Sequence, residues 1–401
     1  MELHKPRIRF FVNQTYPIKR PFPCNIFGFW LSTYPLHLPP FFISKMDQQA
    51  RDFLYTYINN FSPTGFETSG QKLWLDYMRP YIDTYISDTY GSVAGVINPE
   101  ASYKVVIEAH ADEISWFVNY ITEDGYIYVR RNGGSDALIA PSKRVNLFGD
   151  KGIVKGVFGW PAIHVREIEK DEMPKIKNIF IDIGASSKKE VWEMGVHVGT
   201  VATFDDEAFE LNNKYLVGRA LDNRIGGFMI ARVARRLKEN GIKLPFGLYI
   251  VNAVQEEIGL RGAEMMARRL QPDVAIITDV CHDTTSPMYK KLEQGDQRCG
   301  EGPVLTYGPA VQNNLLQFII GQAEKNEIKF QRASATRATG TDTDAFAYSG
   351  QGSASALISL PLKYMHTTVE TVALDDIEAV IQLIYHSVLA LENGQDFRYI
   401  K

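Results

Sequence analysis

The residues able to do chemistry in this chain are two imidazoles, His110 and His366, and the carboxylates of Asp112, Asp222, Glu256, Glu257 and Asp279. The adjacent pair Glu256-Glu257 is the most telling. It lies in Val-Gln-Glu-Glu-Ile-Gly (254–259), directly after the apolar run 247–251, which reads as a buried strand. Neighbours on a strand point to opposite faces, so such a pair can divide its work. One carboxylate can bind a cation while the other stays free to move a proton. His110 opens His-Ala-Asp-Glu-Ile. Asp112 can accept the second ring N–H of a metal-binding imidazole and fix its tautomer. Glu113 reads as part of a charged turn. Asp222, in Gly-Arg-Ala-Leu-Asp-Asn-Arg-Ile-Gly-Gly, stands just before a helix. Taken alone it is an N-cap, yet an aspartate can also bridge two cations with its two oxygens. Gly226 and Gly227 would let the backbone pack closely beside such a site. Asp279 ends the run 274–278. His366, after Pro-Leu-Lys-Tyr-Met, would by itself be a loop histidine. Each signal is weak alone. Together they stand at the carboxyl ends of β runs, where open α/β sheets bind ligands. Two imidazoles with several carboxylates suit a pair of borderline divalent cations.

The elements that must position these residues alternate along the chain. Helices are expected over 48–60 and 69–78, with Asp47 as N-cap of the first. A β-branched strand over 103–109 ends at His110. From 115 to about 209 short alternating strands take over, separated by turns such as Glu123-Asp124-Gly125 and Asn132-Gly133-Gly134. That stretch predicts a small all-β domain. From 215 onward strands and helices alternate again, closing with a long helix over 374–391. The pattern is one α/β domain in two sequence segments with a β domain inserted between them.

Bulk properties narrow the function. At 401 residues the chain exceeds one comfortable core. A net charge of −4 gives no footing for a nucleic-acid or membrane partner. Three cysteines, Cys24, Cys281 and Cys299, have no metal-type spacing and point to a reducing, cytoplasmic setting. Residues 1–45 differ from the rest: prolines break every apolar run, and neither an unbroken apolar segment nor a clear cleavage site marks a signal peptide. They are expected to be an N-terminal extension, disordered or loosely attached, with Met46-Asp47 resembling a natural start.

In this set of motifs the chain resembles the tetrahedral-particle (TET-type) aminopeptidases, the group of glutamyl and deblocking aminopeptidases, some of which carry a cellulase label. The motifs are His110-Ala-Asp-Glu-Ile, Ile181-Asp-Ile-Gly-Ala-Ser-Ser, Ala220-Leu-Asp-Asn-Arg-Ile-Gly, Gln255-Glu-Glu-Ile-Gly, Thr278-Asp and Tyr364-Met-His-Thr-Thr-Val-Glu. The resemblance runs from about Met46 to the C-terminal helix. It implies a co-catalytic metallopeptidase with an aminopeptidase-like three-layer α/β/α catalytic domain, in segments 46–115 and 211–401. It implies a β-barrel-like dimerisation domain at 116–210. By the same resemblance His110 and Asp279 hold one divalent metal ion, Glu257 and His366 hold the other, and Asp222 bridges them. Glu256 is then the general base and Asp112 the partner of His110. The metals would be zinc, with cobalt or manganese as alternatives. The substrate would be a peptide with a free N-terminus, and the protein a homo-oligomer, a dimer or a dodecamer. Departures from the family pattern stand at Ser115, at Thr339-Gly-Thr-Asp342 and at Thr368, and the last two bear on pocket shape.

Two other readings compete. A glycosidase needs two acids flanking a sugar bond and no metal, which leaves His110 and His366 without a purpose. A noncatalytic scaffold would not need Glu256 together with every candidate ligand.

Overall fold

The computed structural model describes residues 46–166 and 172–400. The expectation for residues 1–45, including Cys24, falls outside them.

The chain starts with α1 (Gln48–Asn59), capped by Asp47, whose carboxylate accepts the N–H of Ala50. Helix α2 (Thr68–Met78) follows. Strands β1 (Thr84–Ser87), β2 (Val93–Ile97) and β3 (Lys104–His110) enter the body sheet. The chain then leaves that sheet to build a closed barrel from β4 (Ser115–Ile121), β5 (Ile127–Asn132), β6 (Arg144–Gly149), β7 (Gly152–Gly159), β8 (Phe180–Asp182) and β9 (Val201–Phe204). A short helix α3 (Lys188–Glu193) interrupts this otherwise β segment. The barrel has its own core, with Trp116 in edge contact with both Phe158 and Phe204.

The chain returns through β10 (Phe209–Leu211) and β11 (Tyr215–Gly218) to the long helix α4 (Leu221–Glu239). Then come β12 (Gly247–Ala253), α5 (Arg261–Leu270), β13 (Val274–His282), α6 (Lys291–Gln294), β14 (Val304–Tyr307), α7 (Asn313–Lys325) and β15 (Gln331–Ser334). Helix α8 (Thr343–Tyr348), β16 (Ala354–Lys363), β17 (Glu370–Ala373) and α9 (Leu374–Ala390) complete the body. The body sheet has eleven strands, ordered β1-β2-β12-β3-β13-β16-β17-β11-β10, with β14 and β15 branching from β16. Strands β12, β3, β13 and β16 are mutually parallel. Their unbroken burial explains the continuous apolar runs, since a parallel sheet is covered on both faces.

Glycines set the layers. A Cβ at Gly226 of α4 would meet the Cβ of Ala109 at 2.8 Å, and one at Gly227 would meet the Tyr57 hydroxyl at 2.7 Å. Helix α4 therefore lies tightly against β3, as the two glycines predict. Ala109 faces α4, so Glu108 and His110 face the other side of the sheet. There Glu108 contacts Asp342, the residue before α8. Helices α4 and α8 thus cover opposite faces, giving three layers. Helix α9 packs beside α4 and buries a helical stripe of Ile377, Val380, Ile381, Ile384 and Val388. No helix among the described residues is long and apolar enough to cross a membrane.

Candidate metal centre

Parallel strands deliver the first ligands to one edge of the sheet. His110 ends β3, and its register partner Ala253 ends β12. Two differences from the sequence reading appear here. First, Glu256 and Glu257 do not continue a strand. Gln255 takes a left-handed conformation (φ 59°), which breaks β12, and the pair sits in a one-turn 3-10 helix, Glu256–Ile258. Their division of work comes from that turn, not from strand alternation. Second, Asp279 does not end its strand. Pairing of β13 with β3 stops at Ile277↔Glu108, but pairing with β16 carries β13 on to His282. Asp279 is therefore freed on the β3 side alone. Asp222 begins α4 with non-helical backbone (φ −79°, ψ 110°). His366 lies in the loop between β16 and β17, at φ 61°.

The structure brings all of these side chains together. His110 Nε2 lies 3.2 Å from Asp222 Oδ1 and 3.9 Å from Asp279 Oδ1. His366 Nε2 lies 3.2 Å from Asp222 Oδ2 and 3.4 Å from Glu257 Oε1. Asp222 thus offers one oxygen to each imidazole. The donor atoms form two overlapping clusters, His110–Asp222–Asp279 and Asp222–Glu257–His366, each within 4.8 Å. Two donors on one tetrahedral zinc at ~2.1 Å are roughly 3.4 Å apart. The spacing and the mixed N/O donors fit a divalent cation in each cluster. Glu256 stands just outside, its Oε2 3.9 Å from His110 Nε2.

Electrostatics agrees with missing positive charge. Burial pushes Glu256 up to about 10 and Asp279 up to about 7, and raises Glu257 as well. Burial works against the imidazolium of His366, yet Asp222 and Glu257 hold it up to about 11. His110 is driven well above its ordinary value against the same cost, by Glu256, Asp112 and Asp222. Asp222 alone among these acids is depressed; burial would raise it, but hydrogen bonds to both imidazoles win. So many buried acids around two imidazoles would need protons to stay neutral, and divalent cations would supply the charge instead.

Asp112 is fully buried and braces this half of the site. Its Oδ1 accepts the N–H of Glu256 at 3.0 Å, and its Oδ2 accepts the N–H of Glu257 at 3.2 Å and the Thr64 hydroxyl at 2.9 Å. The contact to His110 Nδ1 is 3.4 Å, longer than a formed hydrogen bond. Glu113 is not the charged turn that the sequence suggested. It is buried, paired with Arg219 and 3.9 Å from Arg224, and it accepts the N–H of Ser62 at 2.7 Å. Sequence reasoning gave no role to Glu67 or Glu108, and it met Asp342 and Glu370 only as members of longer motifs; all four are buried acids. Glu108 carried a visible signal, an acid in the middle of an apolar strand run.

The barrel roofs the second cluster. A Cβ at Gly133 would meet that of Glu257 at 3.1 Å, and one at Gly134 would overlap the imidazole of His366. The turn Asn132-Gly133-Gly134, legible in sequence only as a turn, is thus the part of the barrel lying on the site. A small cavity beside it is lined by Asp222, Glu257, His366 and Thr367, and by Ile114 and Phe204 where the chain enters and leaves the barrel.

The sequence model of the M42 glutamyl aminopeptidase family matches residues 91–383. A lysyl aminopeptidase of Pyrococcus furiosus is 35% identical over 325 residues, covering 80% of this chain and 91% of that protein. The crystal structure of a TET aminopeptidase from the marine sediment archaeon Thaumarchaeota archaeon SCGC AB-539-E09 superposes with a TM-score of 0.81 at 30% identity. It covers 86% of this chain and 97% of its own. The Pyrococcus horikoshii TET1 peptidase, described as assembling into a tetrahedron or a large octahedral shell, gives a TM-score of 0.76 at 28% identity. That match covers 85% of this chain and all of the other.

Proposed function

This chain belongs to the M42 glutamyl aminopeptidase family, and from that premise we propose that it removes N-terminal residues from peptides with two divalent cations and Glu256. It is a metallo-aminopeptidase; which residues do what is the proposal. One observation carries it: Asp222 presents a separate oxygen to His110 and to His366.

His110 and Asp279 would hold one cation, Glu257 and His366 the other, with Asp222 shared. Zinc suits these donors, and cobalt or manganese would serve. When bound, such cations polarise a scissile carbonyl and lower the pKa of an attacking water. The remaining work falls to the chain. Glu256 takes the proton of the water and delivers it to the departing amine. It stands beside the two clusters without belonging to either, its Oε2 3.9 Å from His110 Nε2. Asp112 fixes Glu256 through the backbone, so base and ligands move as one piece. The acids of the two clusters hold the free α-amino group, and the small cavity beside His366 borders the reacting bond.

The relatives named above include a lysyl aminopeptidase and a shell-forming peptidase. The description of the second motivates a homo-oligomer here, a dimer or a dodecamer, built through the barrel. The free thiols of Cys281 and Cys299 suit the cytoplasm.

The test is Glu256→Gln in chelator-stripped enzyme refilled with single metals and assayed on a panel of aminoacyl chromophores. Turnover should fall by about 10²–10⁴-fold with metal content unchanged. Near wild-type rates in the metal-replete variant would refute the base assignment. Activity that survives complete metal removal, with cleavage of a glucan, would favour the glycosidase reading instead.

A further inference from the structure

Glu370 lies outside both clusters and was given no task above. It is fully buried, and both of its oxygens are committed to backbone. Oε2 accepts the N–H of Asp222 at 3.0 Å, and Oε1 accepts the N–H of His366 at 2.7 Å. These are the residues whose side chains meet at 3.2 Å in the second cluster.

The topology explains why one carboxylate reaches both. Glu370 opens β17 and pairs with Gly218, the last residue of β11, in antiparallel register. The chain running forward from Gly218 and the chain running backward from Glu370 therefore leave the sheet at the same end. Asp222 follows Gly218 at the distance by which His366 precedes Glu370, from 218 to 222 and from 366 to 370. Both segments are conformationally unusual. Ala220 has φ 56°, and Tyr364 and His366 each have φ 61°, values that side-chain-bearing residues seldom adopt. Neither segment has sheet pairing to hold it there. Asp112 makes the matching arrangement for Glu256 and Glu257, next to the left-handed Gln255.

We infer that Glu370 is a positioning residue that holds Asp222 and His366 in ligating position by bracing their backbone N–H groups. It lines the small cavity beside His366, but both of its oxygens are taken by backbone N–H groups and it belongs to neither cluster of ligands. The inference rests on the two-cation reading, because His366 matters only if a cation sits between it and Asp222. Gln cannot replace Glu here. Its amide has one acceptor oxygen, and its NH2 would face the second N–H donor.

The experiment titrates the chelator-stripped full chain with Co²⁺ alone, following heat and visible absorption. Wild type should take up two equivalents. In Glu370→Gln, one equivalent should bind at least about tenfold more weakly, the scale seen when partners of metal ligands are removed. The other equivalent should change by less than about threefold. In a His366→Ala background, which already lacks one cation, adding Glu370→Gln should weaken the remaining equivalent by less than about threefold, since of its ligands only the shared Asp222 is braced by Glu370. A role confined to stability would shift melting without this selectivity. Glu370→Asp keeps both acceptors on a shorter arm and should recover part of the loss. If Glu370→Gln does not fold, Glu370→Asp carries the test, with weakening confined to the same equivalent. Unaltered binding, or equal weakening of both equivalents, overturns the inference alone. A wild-type chain that takes up fewer than two equivalents overturns the two-cation reading and this inference with it.

Discussion

The two clusters share Asp222 but are built differently. The His110 half stands on the sheet: His110 ends β3, Asp279 lies within β13, and the His110 side chain is 2% exposed. The His366 half stands on turns. Glu257 is in a one-turn helix, His366 in a left-handed loop position, and its side chain is 32% exposed. Ladder hydrogen bonds fix the first half, while the second depends on buried carboxylates and on a glycine turn from the barrel. A single site therefore combines a rigid, enclosed pole with an adjustable one open to the cavity. Exposure and irregular backbone belong to the low-stability end of a structure.

That contrast can be broken most directly with metal exchange. Against a chelator, one equivalent should leave the wild-type protein at least about tenfold faster than the other, as expected when ligand bracing differs. His366→Asn should abolish the fast phase and His110→Asn the slow one. Two equivalents leaving at one rate would erase the distinction between the halves.

A gentler probe acts from the barrel side. Gly134→Ala adds one methyl where the imidazole of His366 already lies, and Gly134 needs no left-handed backbone. We expect kcat/KM to fall by roughly tenfold, about 1.4 kcal/mol, with the barrel still folded. Gly321→Ala is the control, since nothing lies within 4 Å of its added methyl. It should leave activity unchanged and stabilise α7 by up to about 1 kcal/mol. Equal activity in both variants would show that the turn does not constrain His366.

The smallest effect sharpens the contrast from outside the site. Asp47→Ala removes the cap of α1 and its bonds to Arg232 and Arg235. It should cost about 1 kcal/mol of stability while leaving both metal affinities unchanged. Altered metal release in that variant would mean that the two halves respond to global stability and not to their local supports.

The sequence made the chemistry legible more fully than its support. His110, Asp222, Glu256, Glu257, Asp279 and His366 could be read because each follows an apolar run, and a parallel sheet gathers such ends at one edge. The α/β body with its inserted β segment was readable from the change in hydrophobic period. The strands Phe180–Asp182 and Glu370–Ala373 were too short to stand out. The roles of Glu113 and Glu370 escaped for a different reason. Their partners, Arg219 and the N–H groups of Asp222 and His366, become neighbours only through the fold. A lone acid in a sequence carries no sign of whether water or a distant backbone satisfies it. Gly134 was equally silent, since a glycine in a turn and a glycine against an imidazole look the same in one dimension.

Ile114 and Phe204 mark the two crossings between body and barrel, and both wall the cavity beside His366. Any tilt of the barrel pivots on the polypeptide that walls this cavity. Whatever grips the outer staves of the barrel thereby has a mechanical lever on how wide that opening beside His366 stands.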